Sequence, residues 1–320
     1  MTSILVAALL LIALGAASMA FSALAGRLIE RQTPPQGRFL DLDGVRLHVL
    51  DQGEGPPVVL IHGLSGQLGN FTYALVRRLS DEFRVVAFDR PGSGYSSRAR
   101  GESAGMQAQA ATLAKAIRRL KLDRPVIVGH SLGGALALEL ALDAPDCVGA
   151  LALIAPATHP LSRPPRVFRP LAIRSPALRR AFAWTLATPG GLIARPLVIK
   201  EVFAPEAPPA DFAELGGGFL AVRPGSVVRA SEDIIALEED LKVLPQRYAA
   251  VRAPVGVLYG RDDHVLDWRA HGEAMREKFP SLDFELVDGG HMLLVTQPDV
   301  CARFIRRMAL ARAQAAASAP

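Results

Sequence analysis

Short apolar runs alternate with longer stretches of helical spacing along most of the chain. Two β-rich segments, FLDLDG and RLHVLDQG, open the pattern and predict an antiparallel hairpin. Six further strands are predicted at PVVLI (57–61), RVVAF (84–88), PVIV (125–128), ALALIA (150–155), VGVLY (255–259) and FELV (284–287). Strands that alternate with helices favour a parallel sheet between helical layers. The pattern therefore predicts an α/β fold with a mostly parallel eight-stranded sheet flanked by helices.

Helical spacing predicts the elements between these strands. The predicted helices cover residues 71–79, 103–120, 132–142, 238–251 and 300–313. The rhythm stops from residue 157 to 231, where eleven prolines and the run GGG interrupt the chain and predict an inserted helical cap. We therefore divide the chain into a core at 37–156 and 232–312, a cap at 157–231 and a tail at 313–320.

The N-terminal segment is long and apolar. Residues 4–25 carry no charge, and 22 residues are enough for a helix to cross a hydrocarbon layer of about 30 Å. We interpret residues 1–36 as an uncleaved membrane anchor and linker, because the start MTS lacks the Lys or Arg typical of signal peptides. Arg27, Arg31 and Arg38 follow, which favours a cytoplasmic catalytic domain. The alternative is export after cleavage at Ala-Leu-Ala, residues 23–25.

Composition and charge narrow the classes of partner. The chain has 320 residues, 50% of them hydrophobic, a net charge of +5 and a sequence pI near 9.5. This charge could suit nucleic acid, but no basic helix, aromatic ribonucleoprotein stretch or zinc-finger spacing accompanies it, so we predict no nucleic-acid partner. Cys147 and Cys301 are too few and too far apart for a disulfide scaffold or a CxxC motif, and we expect both to be buried.

The stretch GHSLGG places Ser131 between a predicted strand and a predicted helix. Gly129 and Gly133, two positions to either side, remove side chains that would collide in a sharp turn, which is the GxSxG nucleophile-elbow arrangement. A serine hydroxyl needs a base to accept its proton and an acid to orient that base. We predict His291, after Gly289-Gly290, as the base. Asp262 or Asp263, just past the strand VGVLY, would be the acid.

The remaining histidines receive no catalytic role. His62 and His130 lie at strand ends, and we expect them to pack or to form structural hydrogen bonds. The other four have no comparable setting and are expected to be solvated or locally bonded surface residues: His48, His159, His264 and His271.

Five motifs in order resemble the α/β-hydrolase fold family, in particular its capped serine hydrolases. They are HG (62–63), DRPGSGYS (89–96), GHSLGG (129–134), GRDD (260–263) and GGH (289–291), and the resemblance covers residues 37–312. It implies that Asp263, the last position of GxxD, is the acid of the triad. It also implies an oxyanion hole from the backbone N–H groups of Leu64 and Leu132. Asp89, Gly92 and Gly94 resemble the DxxGxG turn, which we expect to be structural.

The serine at the elbow sets the expected chemistry. Haloalkane dehalogenases and epoxide hydrolases resemble this chain but use Asp there, whereas Ser131 would form an acyl-enzyme. We predict a carboxylic-ester hydrolase with no cofactor and no metal. An amidase, lactonase, acyltransferase, carbon–carbon bond hydrolase or cofactor-free perhydrolase could use the same triad, and a ligand-binding protein of low turnover could keep the fold.

The cap suggests the kind of substrate and its location. Eight large apolar residues would line an apolar cavity suited to an acyl or aromatic group: Phe168, Leu171, Phe182, Trp184, Leu186, Phe203, Phe212 and Phe219. Between Cys147 and Lys200 there is no Asp or Glu. Eight basic residues lie in that part of the chain: Arg163, Arg166, Arg169, Arg174, Arg179, Arg180, Arg195 and Lys200. We hypothesise that this basic cap and the anchor hold the active-site entrance at an anionic bilayer.

Overall fold

The structure is a computed structural model that describes residues 2–99 and 101–317. Its centre is an eight-stranded sheet in the order β1-β2-β4-β3-β5-β6-β7-β8. The strands are β1 Arg38–Leu42, β2 Val45–Gln52, β3 Pro57–Ile61, β4 Arg84–Phe88, β5 Val126–His130, β6 Ala150–Ile154, β7 Val255–Gly260 and β8 Asp283–Val287. The predicted fold class is confirmed.

The strand register explains why the central strands are apolar throughout. β2 pairs antiparallel with β1 and β4, and the remaining pairs are parallel, with Val58 opposite Val126 and Leu153 opposite Val257. Parallel strands covered by helices on both faces lose the alternation of polar and apolar residues. Every residue of β5, β6 and β7 is buried. Parallel pairing also brings the carboxyl ends of β5, β7 and β8 to one edge, where the predicted catalytic residues follow.

Thirteen α-helices are formed by the described residues. They are α1 Thr2–Gln32, α2 Gly69–Thr72, α3 Leu75–Leu79, α4 Met106–Arg119, α5 Leu132–Asp143, α6 Pro176–Phe182, α7 Thr188–Phe203, α8 Phe212–Leu215, α9 Pro224–Asp240, α10 Leu244–Arg247, α11 Trp268–His271, α12 Leu293–Thr296 and α13 Pro298–Ala317. Shorter 3₁₀ turns lie at Pro145–Cys147, Arg166–Leu171, Gly218–Val222, Tyr248–Ala250 and Glu273–Glu277, and a π-helical turn at Ala183–Ala187 joins α6 to α7.

Two predicted helices are wrong in their extent. The stretch 71–79 forms the two short helices α2 and α3, because Ala74, with φ −141°, leaves the helical region between them. The stretch 238–251 does not form one helix. Instead α9 begins with Pro224 at its first position, where the missing N–H is harmless, and ends at Asp240. Pro245 then lies in the first turn of α10, since a proline cannot continue a preceding helix. The boundary expected at 231/232 therefore falls inside α9.

Two apolar clusters form the core, one on each face of the sheet. On one face α4 and α5 contribute Leu113, Ile117 and Leu136 against the strands. On the other face α3 and α13 contribute Leu75 and Phe304 among their buried residues. Ser131 and the other predicted catalytic residues lie at the edge of the sheet between these layers and the cap.

The N-terminal helix α1 packs against the cap through its second half. The Ser18 hydroxyl donates to the carbonyl oxygen of Thr185, and the Arg223 guanidinium lies 2.8 Å from the Glu30 carboxylate. By length and composition, two helical stretches could cross a membrane, Ser3–Gln32 with a mean hydropathy of 2.6 and Pro176–Phe203 with 1.2. The second stretch belongs to the cap. The first half of α1 exposes large apolar side chains, including Leu10 and Leu14.

Candidate active site

The backbone of Ser131 has the strained geometry expected of a nucleophile elbow. Its φ of 55° and ψ of −121° lie outside the regions that residues with a Cβ normally adopt. A Cβ at Gly129 would lie 2.5 Å from the carbonyl oxygen of Gly133, and one at Gly133 would lie 2.2 Å from that of Ile61. Both distances are impossible contacts. The two glycines are therefore required by the approach of β5, α5 and β3 around the serine.

His291 and Asp263 form a close pair beside this elbow. The His291 Nδ1 atom lies 2.7 Å from Asp263 Oδ2, and both side chains are almost fully buried. The other carboxylate oxygen of Asp263, Oδ1, accepts hydrogen bonds from the backbone N–H groups of Val265 at 2.7 Å and Leu266 at 2.9 Å. These bonds fix the carboxylate, which then holds the imidazole with Nε2 available as a proton acceptor. Asp262 is exposed, and its backbone N–H donates to the carbonyl oxygen of Gly289.

Ser131 and His291 line the same cavity, together with Leu64. The part of the chain that the structure describes contains no hydrogen bond between the Ser131 hydroxyl and His291. Such contacts are often long until a substrate is bound. Leu132 is the first residue of α5, directly after Ser131, so its N–H has no acceptor within the helix. The five predicted site residues therefore lie at one edge of the sheet. Ser131 and His291 are not hydrogen-bonded to each other there.

Two neighbouring histidines are buried and neutral. Burial first, and then the charge of Arg90, lower the pKa of His62 to about 3, while its Nε2 accepts the backbone N–H of Arg90 at 3.0 Å. Burial likewise holds the pKa of His130 well below its usual range, with the nearby His291 as the second cause. His130 Nε2 lies 3.1 Å from the carbonyl oxygen of His291. Both histidines therefore support the site structurally, as the sequence indicated.

The expectation that His48 and His271 lie at the surface is wrong. His48 is 1% exposed, and its Nδ1 lies 2.7 Å from Asp89 Oδ2. His271 is 3% exposed, and its Nδ1 accepts the backbone N–H groups of Thr158 and His159, each at 3.2 Å. Sequence reasoning missed both because their partners lie far away along the chain. His264 is exposed, as expected.

Arg90 is a fully buried cation that the sequence analysis passed over. Its Nε and Nη2 atoms donate to the carbonyl oxygens of His62 at 3.1 Å and Gly63 at 3.2 Å, which immediately precede Leu64. Its charge is balanced by Asp233 of α9 at 2.9 Å. Arg90 thus positions the loop that carries the Leu64 N–H. An arginine two residues past the buried strand RVVAF was the available signal.

Glu206 connects the cap to the loop of the catalytic base. Its two carboxylate oxygens lie 3.2 Å and 3.0 Å from the backbone nitrogen of Gly290, which donates to them. Gly290 directly precedes His291. The cap therefore contributes to the placement of the base, which no sequence motif revealed.

The candidate active-site cavity is apolar and continues into the cap. Its volume is about 180 Å³, and Phe168, Phe203 and Phe212 line it. A second cavity of about 310 Å³ adjoins it, lined by Leu171, Phe182 and Leu186 among others. Six residues line both cavities: Ser65, Phe168, Gly191, Val198, Ala221 and Val222.

Two of the eight apolar cap residues lie elsewhere. Trp184 lines a separate, polar cavity. Phe219 lies under the guanidinium of Arg195, whose central carbon is 3.9 Å from the ring centroid.

The cysteines are buried, and metal ligands do not cluster. Cys147 and Cys301 are buried, as expected, and both are free thiols; burial raises the pKa of Cys147 to about 11. Within residues 2–99 and 101–317, no group of three or more His, Cys, Asp or Glu side chains is arranged to hold a metal ion.

Sequence comparison places these features in a known family. Residues 56–298 match the family described as alpha/beta hydrolase fold. The chain belongs to the α/β-hydrolase fold family. Among curated proteins of this kind, the chain is 38% identical over 122 residues to 2-hydroxy-6-oxo-2,4-heptadienoate hydrolase of Pseudomonas putida, covering 37% of this chain and 44% of that protein. The matches span between 32% and 44% of the length of four such relatives.

Solved α/β-hydrolase structures agree over nearly the whole chain. A crystal structure of a membrane phospholipase A superposes with a TM-score of 0.69 at 24% identity, covering 98% of this chain and 99% of the other. A thermophilic esterase from Thermogutta terrifontis superposes with a TM-score of 0.69 at 26% identity, covering 86% and 99%. The first likeness shows the fold and includes the N-terminal region.

Proposed function

We propose that the protein is a membrane-anchored serine hydrolase that cleaves carboxylic esters with an apolar acyl group. The observation that supports this most strongly is the convergence of three elements at one cavity. Ser131 occupies a strained elbow, His291 is held by Asp263 at 2.7 Å, and backbone N–H groups flank the serine. This is the arrangement that acyl transfer through a serine requires.

The proposed reaction proceeds through an acyl-enzyme. Ser131 Oγ attacks the ester carbonyl while His291 Nε2 accepts the hydroxyl proton, and Asp263 stabilises the resulting imidazolium. The negative charge that forms on the carbonyl oxygen is stabilised by the N–H groups of Leu64 and Leu132, each worth about 3 to 4 kcal/mol. The C–O bond then breaks, and His291 gives its proton to the leaving alcohol. Water, deprotonated by His291, attacks the acyl-enzyme and releases the carboxylic acid.

The cavities support an apolar acyl group. The space next to Ser131 is bounded by aromatic and aliphatic side chains, and it continues into the second cavity between α6, α7 and the turn Gly218–Val222. An alkyl chain that starts at Ser131 can therefore extend past Arg195, the one charged side chain that the described residues contribute to the first cavity besides the catalytic residues, into a second cavity lined by none. Burying each methylene contributes about 0.8 kcal/mol, so affinity should rise with chain length until the space is filled.

The anchor supports a substrate that is dissolved in a membrane. Helix α1 is apolar and exposed over its first half and contacts the cap at Thr185 and Arg223 through its second half. A helix of this kind would keep the cap at the bilayer surface. We propose a membrane-associated enzyme with a cytoplasmic catalytic domain, following the positive charges at Arg27, Arg31 and Arg38. Export after cleavage at residues 23–25 is the competing arrangement. The similar fold of a membrane phospholipase A is consistent with a lipid ester as substrate.

The basic cap contributes less free charge than its sequence suggests. The Arg174 guanidinium lies 3.1 Å from Glu238, and Arg179 is buried and lies 3.5 Å from Glu232. Five of the eight are exposed and have no ion pair among the described residues: Arg163, Arg166, Arg169, Arg180 and Lys200. Attraction of the cap to anionic lipid therefore rests on these residues and not on all eight. To test this attraction, residues 1–36 are removed, and vesicle binding of the remaining protein is measured as the anionic-lipid content and the salt concentration are varied. Binding that is insensitive to both would refute the role of the basic cap.

The test of the proposed chemistry uses a fluorophosphonate probe and a series of p-nitrophenyl esters. The full-length protein in nonionic detergent should be labelled, and kcat/KM should rise from acetyl to medium-chain esters. Ser131→Ala should abolish labelling and turnover. Ser281→Ala, at an exposed serine that lines neither cavity, is the matched control and should keep both.

The outcomes separate the alternative chemistries. Persistent labelling of Ser131→Ala at another serine would refute the assignment of the nucleophile. Labelling at Ser131 without ester turnover, but with cleavage of anilides, lactones or vinylogous diketones, would assign the site to an amidase, a lactonase or a carbon–carbon bond hydrolase. Labelling without turnover of any of these compounds would indicate a ligand-binding protein.

A further inference from the structure

A third cavity, separate from the two described above, lies outside the candidate active site. It has a volume of about 470 Å³ and separates the second half of α1 from the turn that follows β4 and from the start of α9. Ser22, Gly26 and Glu30 of α1, spaced four residues apart, form one wall. The opposite wall is strongly basic, with Arg98, Arg223 and Arg229. Nothing in the proposed ester hydrolysis uses this space.

Positive charge exceeds negative charge around this cavity. Arg223 pairs with Glu30 at 2.8 Å, Arg229 with Glu232 at 2.9 Å, and Arg98 with Glu232 at 3.3 Å and with Asp233. Arg90 also pairs with Asp233, and Arg179 also pairs with Glu232. Arg27 also lines the cavity, and no acidic side chain of the described residues lies within ion-pair distance of it. Five arginines therefore share the carboxylates of Glu30, Glu232 and Asp233, and Arg27 pairs with none of them, so arginines outnumber the carboxylates that pair with them.

Two buried polar atoms at this cavity have no partner among the described residues. They are the hydroxyl oxygen of Ser22, which is 0% exposed, and the Nε atom of Arg98, which is 5% exposed. Leaving such a group unsatisfied costs about 1 to 3 kcal/mol, and more for a charged group. Both side chains line the cavity, so a ligand with several acceptor oxygens would satisfy them.

The start of α9 adds further donors. This 17-residue helix begins at Pro224, and Gly225 and Ser226 of its first turn line the cavity. The first N–H groups of a helix have no intrahelical acceptor and carry the positive end of its dipole, which suits a bound phosphate. Arginine guanidinium groups bind phosphate oxygens through paired hydrogen bonds.

We propose that this cavity binds a phosphate group, namely that of an anionic phospholipid at the membrane surface. Its position supports the lipid source. Ser22 lies near the end of the uncharged segment 4–25, and Arg27 and Glu30 follow it, so the cavity lies where a membrane-spanning α1 would leave the hydrocarbon. The bound headgroup would join α1 to α9 and to the turn at Gly92 and Gly94. This site is distinct from the cavity at Ser131.

Trp184 lines the cavity and provides a direct probe. The only other tryptophan is Trp268, so Trp268→Phe leaves one reporter, and Ser131→Ala in the same chain prevents hydrolysis of the lipid. The full-length protein in dodecyl maltoside is titrated with dihexanoylphosphatidylglycerol, with dihexanoylglycerol, which has the same chains without phosphate, and with inorganic phosphate. The emission of Trp184 is followed in each titration.

We expect a saturable change with dihexanoylphosphatidylglycerol and none with dihexanoylglycerol. Arg27→Gln and Arg229→Gln should each raise the Kd at least tenfold, and Ser22→Ala about three- to tenfold for the loss of one hydrogen bond. Arg119→Gln removes an exposed arginine of α4, outside both the cap and the cavity, and should leave the Kd unchanged. Because Arg27 is exposed and has no ion pair among the described residues, its variant should fold even if Arg229→Gln does not.

The outcomes decide both the site and the source of the phosphate. A response to inorganic phosphate alone, lost in Arg27→Gln, supports the phosphate site and assigns free phosphate as a ligand. No response to either phosphate compound overturns the proposal. An equal response to dihexanoylglycerol that Arg27→Gln does not change also overturns it, because the fluorescence would then report acyl chains in the cap. None of these readouts depends on ester hydrolysis, so failure here leaves the proposed function standing.

Discussion

Replacing His271 by asparagine should make the fold less sensitive to acid. The imidazole is buried where β6 leads into the cap, and its Nδ1 accepts the N–H groups of Thr158 and His159. Burial first, and then the neighbouring His159, lower its pKa from 6.5 to about 4. The Oδ1 atom of asparagine can accept the same two hydrogen bonds but does not titrate. The substitution therefore removes one proton-binding group and retains its structural contacts.

The sign and size of the change in stability with pH follow from the pKa of His271. Above pH 6.5 the imidazole is neutral in both states, and the folded protein keeps its full stability. As the pH falls below 6.5, the unfolded chain binds a proton that the folded protein does not accept until about pH 4. Stability is therefore lost in this window by about 1.4 kcal/mol per pH unit. Between pH 7.5 and pH 4.5 the single histidine contributes a loss of about 2.5 kcal/mol.

The assay is urea unfolding of the full-length protein in nonionic detergent at several pH values between 7.5 and 4.5. His62 and His130 titrate equally in parent and variant, so the difference between the two proteins isolates His271. The parent should lose about 2.5 kcal/mol more than His271→Asn over this range. His264→Asn, at an exposed histidine, should follow the parent. Parallel loss of stability in His271→Asn and the parent would refute the assignment of a depressed pKa.

Two further predictions concern the candidate active site. Asp263→Asn should lower kcat by about 10⁴-fold because the amide selects the wrong His291 tautomer, whereas Asp262→Asn, at an exposed side chain, should stay within about threefold; steady-state kinetics showing the reverse ranking would contradict the assignment. Arg90→Lys should lower kcat by about ten- to a hundredfold with little change in KM, because the loop that carries the Leu64 N–H loses two hydrogen bonds; a rise in KM alone would show that Arg90 acts on substrate binding.

The core of the fold could be predicted because its strands carry a simple signal. Each parallel strand is buried on both faces, so it appears as an uninterrupted apolar run such as PVVLI or ALALI. The elbow could also be predicted from the sequence, because its backbone geometry requires Gly129 and Gly133 within two residues of Ser131. These features depend on neighbours close in sequence.

Features that depend on distant partners were not predictable. His48 pairs with Asp89, 41 residues away, and His271 accepts a bond from Thr158, 113 residues away. The Glu206 carboxylate in the cap accepts a hydrogen bond from the backbone N–H of Gly290, and no local sequence pattern predicts this contact. The extent of α9 was also missed, because its polar first turn resembles a loop until its packing against α1 and the core is known.

The most direct measurement of the central claim is rapid mixing of the protein with a p-nitrophenyl ester, followed by acid quench, intact mass and peptide mapping. We expect a burst of p-nitrophenol that approaches one per protein molecule and an acyl adduct on the peptide that contains Ser131. Both should be absent in Ser131→Ala. Product formation without a covalent adduct, or an adduct on any other residue, would contradict the account.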